Sequence, residues 1–463
     1  MFRKIKRIYR QYLSLLAARY YDYPAKDLKL IGVTGTSGKS TTSAMIFDIL
    51  RSNGYKVGIV STVGAIAGNE EIETGFHVTT PDPVDMQKYL RKMKDNGVEY
   101  VVIETSSHAL DQGRLGFLKF RTAVFTNIKR DHLDYHKTWG EYARAKCRLI
   151  DALEDNGTVI YNFDDQKSYK FLKEYILLRN KIHGQKIKEI EYSVSQQLTD
   201  VELGKGFITY KYKSFKFNIP VIGEYNVENS FAATLAAISL GVTANKAAAT
   251  LSEYQGVVGR MEIMQRQPFF VIVDFAHNAD SLERSLDAAK DLLGRSGRLI
   301  TIFGSAGLRD VEKRGAMGEI SGNLSDITIV TAEDPRIEEL YDINSQIIKG
   351  AEKTGAKLIK RFATSEEFNN YMASDKTKIE DKELMKEVGL ETTPERENII
   401  YSFDENNTNS RYDAIQFAIR IARAGDVVIA EGKGHEKSLA FGSVEYHFTD
   451  QEAVKKALER MTA

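Results

Sequence analysis

Apolar and polar positions group along this chain into short strand-like runs separated by helical stretches. Residues 28–31 read as a buried strand, and the apolar spacing over 44–50 reads as a helix. Residues 55–62, 98–104 and 121–127 read as further strands, with a helical stretch at 84–96. Strands alternating with helices in this way predict an α/β domain whose largely parallel sheet is covered on both faces. Residues 161–217 are less regular, with charged helical stretches and short strands such as 206–210, and an alanine-rich helix is expected over 230–240. Residues 256–262 read as a hinge into a second α/β domain with strands at 269–274, 298–303, 327–331 and 426–430. The expected boundaries are therefore 1–27, 28–255 and 256–463. Between about 352 and 396, a charged composition that is helix-like at 376–383 predicts an insertion or a mobile surface segment in the last domain.

The amino terminus has its own pattern. Phe2, Ile5, Ile8, Tyr9, Tyr12, Leu13 and Leu16 share one helical face, and Arg3, Lys4, Lys6, Arg7 and Arg10 lie largely off it. The uninterrupted apolar run and small-residue cleavage site of a signal peptide are both weak. A helix packed on the body of the protein is expected. The alternative is peripheral contact of residues 1–20 with an anionic membrane surface.

The junction between the first strand and its helix carries the chemistry. Gly35, Thr36, Ser37, Gly38, Lys39, Ser40 and Thr41 stand together there. Glycines let backbone N–H groups turn inward around phosphate oxygens, and the helix N-terminus adds partial positive charge. Lys39 would reach the terminal phosphates, with Ser40 or Thr41 near Mg²⁺. ATP or GTP binding is expected, although Val33 occupies the place of the first glycine of G-x-x-x-x-G-K-[ST].

Ligands of parallel sheets bind beyond the carboxyl ends of the strands. Two polar clusters follow strand ends, one from Glu104 to His108 and one from Asn127 to His136. Glu104 suits an Mg²⁺ ligand. A zinc site built from the histidines and aspartates ranks behind it, because compact ligand spacing is missing. Thr79-Thr80-Pro81-Asp82-Pro83 reads as a capping loop. Asn226 and Asn229 would share the first turn of a helix. In the second domain the clusters at 274–278, 304–310, 333–336 and 432–436 again follow strands, and together they predict a site facing the nucleotide across a cleft.

Composition narrows the class. At 463 residues more than one domain is required. Lys+Arg and Asp+Glu are both 64, so no global basic footprint for nucleic acid exists. The single cysteine, Cys147, excludes an internal disulfide and a cysteine-rich zinc site, which fits a reducing compartment. A cytoplasmic monomer acting on small molecules is expected.

In order and spacing, Gly35 to Thr41, Thr79 to Pro83, Glu104 to Leu110 with Gly113-Arg114, Asp131 to His136 and Tyr142 to Lys146 resemble the Mur ligases, and more narrowly the MurE type. The resemblance implies a P-loop ATPase-like central domain of mostly parallel sheet, followed by a Rossmann-like α/β carboxyl-terminal domain. It implies ATP-dependent amide formation through an acyl phosphate. By resemblance, Lys39 holds phosphates, Ser40 and Glu104 ligate one Mg²⁺, His132 helps ligate a second, and Lys146 becomes carbamylated by CO₂ to ligate it. Asn226, Asn229 and His277 are implied to contact ATP, and Thr79, Thr80, Ser106 and Arg114 the muramyl-dipeptide acceptor. Arg309, Asp334, Arg336, Gly432 and Glu436 are implied to bind a diamino acid, with Arg309 also serving the nucleotide. The family pattern D-N-P-R matches Glu333-Asp334-Pro335-Arg336, where the arginine favours meso-diaminopimelate and the two substitutions make the local charge more negative. Only the basic helix precedes Leu28 where MurE proteins carry a UDP-binding domain, so UDP is expected to be bound otherwise, weakly or not at all. Alternatives are a shortened ligase acting on a folylpolyglutamate-type or lipid-linked muramyl acceptor, and an inactive nucleotide-binding scaffold.

Overall fold

The computed structural model describes residues 2–72, 79–184, 187–374 and 398–462. They form two compact units, Met1–Val257 and Val258–Ala463.

The first unit is built on an eight-stranded sheet in the order β4-β3-β2-β5-β1-β6-β7-β8. Its strands are β1 Lys29–Thr34, β2 Val57–Val60, β3 Ala65–Ala67, β4 Glu70–Ile72, β5 Tyr100–Glu104, β6 Phe120–Phe125, β7 Leu153–Asn162 and β8 Lys188–Tyr192. Strand β1 lies in parallel register between β5 and β6, with Ile31 beside Val102 and Thr122. Leu30, Ile31 and Val33 are fully buried, which is why β1 reads as a continuous apolar run and not as an alternation. Helix α1 is Phe2–Tyr20, α2 Lys39–Ser52, α3 Pro83–Asp95, α4 Ser107–Gln112, α5 Leu133–His136, α6 Trp139–Asp151 and α7 Gln166–His183. One apolar layer joins α2 to helices Tyr225–Ser239 and Ala244–Ser252, and the other joins α3, α4, α6 and α7. A meander of β9 Leu198–Gly204, β10 Phe207–Tyr212 and β11 Phe215–Ile219 adds Ile208, Tyr210 and Phe217 to the first layer.

Helix α1 does pack on this body, but through its small residues. Ser14, Ala17 and Ala18 are buried, Ser14 Oγ donates to the Gly116 carbonyl at 2.6 Å, and Arg10 donates to Gln112. The apolar face read from the sequence looks outward, with Ile8, Tyr9, Tyr12 and Leu16 exposed. On the opposite, body-facing side, Arg7 and Gln11 lie close over Gly113 and Gly116, whose lack of side chains lets α1 approach the α4 end.

The second unit holds a seven-stranded sheet in the order β12-β13-β18-β14-β15-β17-β16. These are β12 Glu262–Gln265, β13 Phe270–Val273, β14 Leu299–Phe303, β15 Ile327–Val330, β16 Lys357–Phe362, β17 Ile399–Phe403 and β18 Val427–Ala430. Only the β12–β13 pair is antiparallel. The insertion expected from about 352 is narrower than the sequence implied. Strand β16 and the helix Ser365–Ala373 belong to the domain, because Phe362 and Phe368 pack against Phe403 and Phe417. The rest of that stretch, including 376–383, lies outside the described residues.

A buried ion pair fixes the carboxyl ends of two central strands. The Arg411 guanidinium donates to both Asp450 oxygens at 2.7 and 2.6 Å and to the carbonyls of Ala332 and Glu431. Both side chains are fully buried. Replacing Asp450 by alanine strands the guanidinium, so urea unfolding of the variant should show a loss of about 3–5 kcal/mol.

Candidate active site

The loop after β1 is moulded by its neighbours. Gly38 has φ of +80°, and a Cβ there would lie 2.1 Å from Asn229 Oδ1. A Cβ on Gly35 would lie 1.8 Å from Thr126 Oγ1. Ser37 N–H donates to Asn127 Oδ1 at 3.0 Å, and the Ser37 carbonyl accepts from Thr126 Oγ1 at 2.6 Å. Asn229 accepts from Thr42 Oγ1 at 3.4 Å and donates to Asn226 Oδ1 at 2.9 Å. The asparagine pair expected to share a helical turn thus buttresses the loop and the first turn of α2. Lys39 Nζ, half-buried, donates to the Thr36 carbonyl at 3.0 Å, and Thr41 lies half-buried in the same turn. A glycine-shaped loop at a helix N-terminus fits nucleotide phosphates.

Beside the loop, Glu104 ends β5 almost fully buried. Its carboxylate accepts from Ser40 Oγ at 3.1 and 3.0 Å, from Thr62 N–H at 3.0 Å and from Thr62 Oγ1 at 2.9 Å. A carboxylate in contact with a hydroxyl at a phosphate loop is an oxygen donor set that fits Mg²⁺. Lys146, on α6, is buried with its Nζ donating to the Gly35 carbonyl at 2.7 Å and lying 4.6 Å from the Tyr142 ring centre. Burial, and then the charge of Lys39, depress its pKa well below the ordinary lysine value. A neutral amine has the lone pair that adds to CO₂, so the residue fits a carbamate.

His132 stands apart from that set. It is exposed at a left-handed φ of 52°, 3.5 Å from Asp131 and with its ring 4.8 Å from that of His108. Among the described residues no group of three or more His, Cys, Asp or Glu side chains is arranged to hold a metal ion. Ser40, Glu104 and Lys146 gather at the loop, and the His132 ring centre lies 6.3 Å from that of Tyr142. Tyr142, given no role of its own within its motif, contacts Thr36 Oγ1 through its hydroxyl at 3.0 Å. His136 closes the polar cluster that follows β6. It is buried 3.1 Å from Ser107 Oγ, and burial, reinforced by His108, pushes its pKa down to about 4.

A second cluster forms where β5 enters α4. Thr80 Oγ1 donates to the Glu104 carbonyl at 3.0 Å and accepts from Ser106 N–H at 3.0 Å. Arg114 donates to the Thr80 carbonyl at 2.9 Å and lies 3.5 Å from Asp82. Thr79, half-buried, precedes it. Thr80 thus bonds both Ser106 and Arg114 next to Glu104.

In the second unit the polar clusters do follow strand ends. Asp334 Oδ1 accepts from Lys433 Nζ and from Ala440 N–H, both at 2.9 Å, and Lys433 Nζ lies 2.6 Å from Glu436. Burial works against the lysine's charge, but Glu436 and Asp334 outweigh it and raise its pKa. Glu333 is buried against Gly432, where a Cβ would come 2.6 Å from Glu333 Oε2, and burial lifts its pKa to about 7. The negative charge expected from these two substitutions is therefore largely absorbed. Lys433 neutralises one carboxylate, and the other holds its proton over much of the range below neutrality. Asp334 and Arg336 both take positive φ, 46° and 56°, and Arg336 Nη1 donates to the Gly307 carbonyl at 2.7 Å. His277 Nδ1 contacts the Phe275 carbonyl at 2.9 Å, with Lys313 Nζ on its own carbonyl at 2.7 Å. Arg309 is exposed on its loop. Glu431, not singled out in the sequence, is buried with its Oε1 accepting from Ser285 Oγ at 2.6 Å, and burial followed by Asp274 raises its pKa well above the ordinary value.

The sequence profile of the Mur ligase middle domain matches residues 33–237, and that of the Mur ligase glutamate ligase domain matches 259–378. A UDP-N-acetylmuramoyl-L-alanyl-D-glutamate–2,6-diaminopimelate ligase of Clostridium tetani is 32% identical over 456 residues, covering 98% of this chain and 82% of the relative. A solved structure of an enzyme of that name superposes with a TM-score of 0.59 at 25% identity, over 94% of this chain and 79% of that one. The MurF ligase of Thermotoga maritima, solved with ADP, superposes with a TM-score of 0.60 at 16% identity, over 96% and 83%. With a moulded phosphate loop, a Ser40–Glu104 pair and an extensive match to a curated ligase, the chain belongs to the Mur ligase family.

Proposed function

We propose that this protein is an ATP-dependent ligase that joins meso-diaminopimelate to the D-glutamyl γ-carboxyl of UDP-MurNAc-L-Ala-D-Glu. It would act as a monomer in the cytoplasm. The observation that carries the reading is Lys146, a buried lysine whose Nζ touches the phosphate loop at Gly35. An ordinary phosphate-loop hydrolase has no use for such an amine, whereas a carbamate on it adds an anionic oxygen beside transferring phosphate.

In this reading the acceptor carboxylate attacks the γ-phosphorus of ATP, the bond to ADP breaks, and an acyl phosphate forms. The amine of the diamino acid then attacks the acyl carbon and expels phosphate. Lys39 and the loop amides hold the phosphates in line. Ser40 and Glu104 would hold one Mg²⁺, and His132 and a Lys146 carbamate would hold a second; the ions would neutralise phosphoryl charge. Asn226 and Asn229 keep the loop in shape, and His277 and Arg309 serve the nucleotide. Thr79, Thr80, Ser106 and Arg114 orient the acceptor.

Arg336 sets the choice of amino acid, supported by Asp334, Gly432 and Glu436. Its bond to the Gly307 carbonyl fixes the guanidinium while leaving other N–H donors for a distal carboxylate. Phosphate release measured with acceptor, ATP and Mg²⁺ should require meso-diaminopimelate, and L-lysine should substitute poorly. Arg336→Ala should raise KM for diaminopimelate by ~100-fold with a smaller change in kcat. Release with lysine alone would overturn the assignment of Arg336.

A further inference from the structure

Helix α1 carries its apolar residues on the side away from the protein. Ile8, Tyr12, Leu16 and Tyr20 form an i, i+4 stripe with Tyr9 alongside, exposed by 55, 60, 45, 82 and 63% respectively. The residues that seat the helix on the body, Ser14, Ala17 and Ala18, occupy the other face. Lys6 and Arg19 are exposed as well. The sequence before Asp22 contains Arg3, Lys4, Lys6, Arg7, Arg10 and Arg19 and no acidic residue. Because the whole chain is neutral, the rest of it carries the matching negative excess.

We propose that this face of α1 docks the protein onto an anionic membrane surface. A wide apolar stripe rich in tyrosine suits the boundary between headgroups and acyl chains, where the ring is buried and the hydroxyl stays wet. Cationic side chains beside such a stripe pair with anionic headgroups. The charge asymmetry orients the contact, since the helix is attracted while the acidic remainder is repelled. Arg10 is turned to the body, 3.7 Å from Asp82, and a second copy fits the outward face less well because pairing two helices there would bring their exposed Lys6 and Arg19 charges together. Contact is superficial, for no helix among the described residues is long and apolar enough to cross a membrane. The inference stands independently of the ligase reading.

The test is sedimentation of the full chain with vesicles of phosphatidylcholine, alone or mixed with phosphatidylglycerol. Binding is expected to the mixed vesicles and to weaken as salt is added. Tyr12→Ser combined with Leu16→Ser should weaken it by ~10-fold or more. Lys6→Glu combined with Arg19→Glu should weaken it by ~10-fold and flatten the salt dependence. All four positions are exposed and outside the site, so circular dichroism and ATP turnover should match those of the unaltered chain. Equal sedimentation with both vesicle types, or none with either, overturns the proposal. So does a concentration-dependent dimer that the Tyr12→Ser/Leu16→Ser variant abolishes, which would assign the face to a second copy.

Discussion

Lys39→Ala should lower ligase turnover by ~10³-fold or more while leaving thermal unfolding close to that of the unaltered protein. The two halves of that expectation have separate causes. The lysine is half-buried on the loop and donates to the Thr36 carbonyl. Removing it leaves a carbonyl that water can reach, which costs little stability. In the proposed reaction, however, its ammonium faces charge that grows as the γ-phosphoryl group transfers. Isothermal calorimetry should show weaker ATP binding, and single-turnover kinetics a much larger loss in acyl-phosphate formation. A variant with ordinary turnover would remove Lys39 from the chemistry.

Lys146→Ala should be as damaging to turnover, ~10³-fold, and should also cost stability of about 1–3 kcal/mol, because the Gly35 carbonyl loses its buried donor. Arginine should not replace it, since a guanidinium does not form the carbamate and its fork does not fit a point contact at Gly35. A small carboxylate such as formate, added at high concentration to the alanine variant, should restore part of the activity by occupying the vacated volume with an anionic oxygen. Labelled bicarbonate should give the unaltered protein a carbamate carbon resonance that Lys146→Ala lacks. The depressed amine pKa works in favour of this chemistry, because the reactive neutral form is populated at lower pH than for an exposed lysine. Full activity of Lys146→Ala without any additive would contradict the role.

The phosphate loop was legible because its signal is local. Strand, glycines, lysine, hydroxyls and helix lie within a dozen residues, and β1 and α2 form where the apolar spacing put them. The other strand-end clusters were legible for the same reason in each α/β unit. Lys146 was not legible from its own helix, where α6 has the pattern of any amphipathic surface helix. Its burial depends on Gly35, far away in sequence, and only the family resemblance pointed to it. The acidic substitutions at 333 and 334 misled for a related reason. Asp334 is compensated by Lys433, which it meets through tertiary folding alone, and Glu333 by a burial that favours its protonated form. Strand β16 was hidden because five of its six residues are half-buried at the sheet edge and three of those are charged, so its apolar content is low. The outward face of α1 shows the converse limit, since periodicity identifies an amphipathic helix without saying which side the body of the protein will take.

The most direct measurement is a competition. The protein would be incubated with ATP, Mg²⁺, UDP-MurNAc-L-Ala-D-Glu and equal amounts of meso-diaminopimelate and L-lysine, with a folylpolyglutamate-type acceptor in a parallel reaction. Mass spectrometry of the products should show the muramyl tripeptide carrying diaminopimelate, formed together with ADP and phosphate. Unconsumed muramyl dipeptide alongside an extended folate-type acceptor, or a lysine-containing tripeptide as the main product, would contradict the assignment.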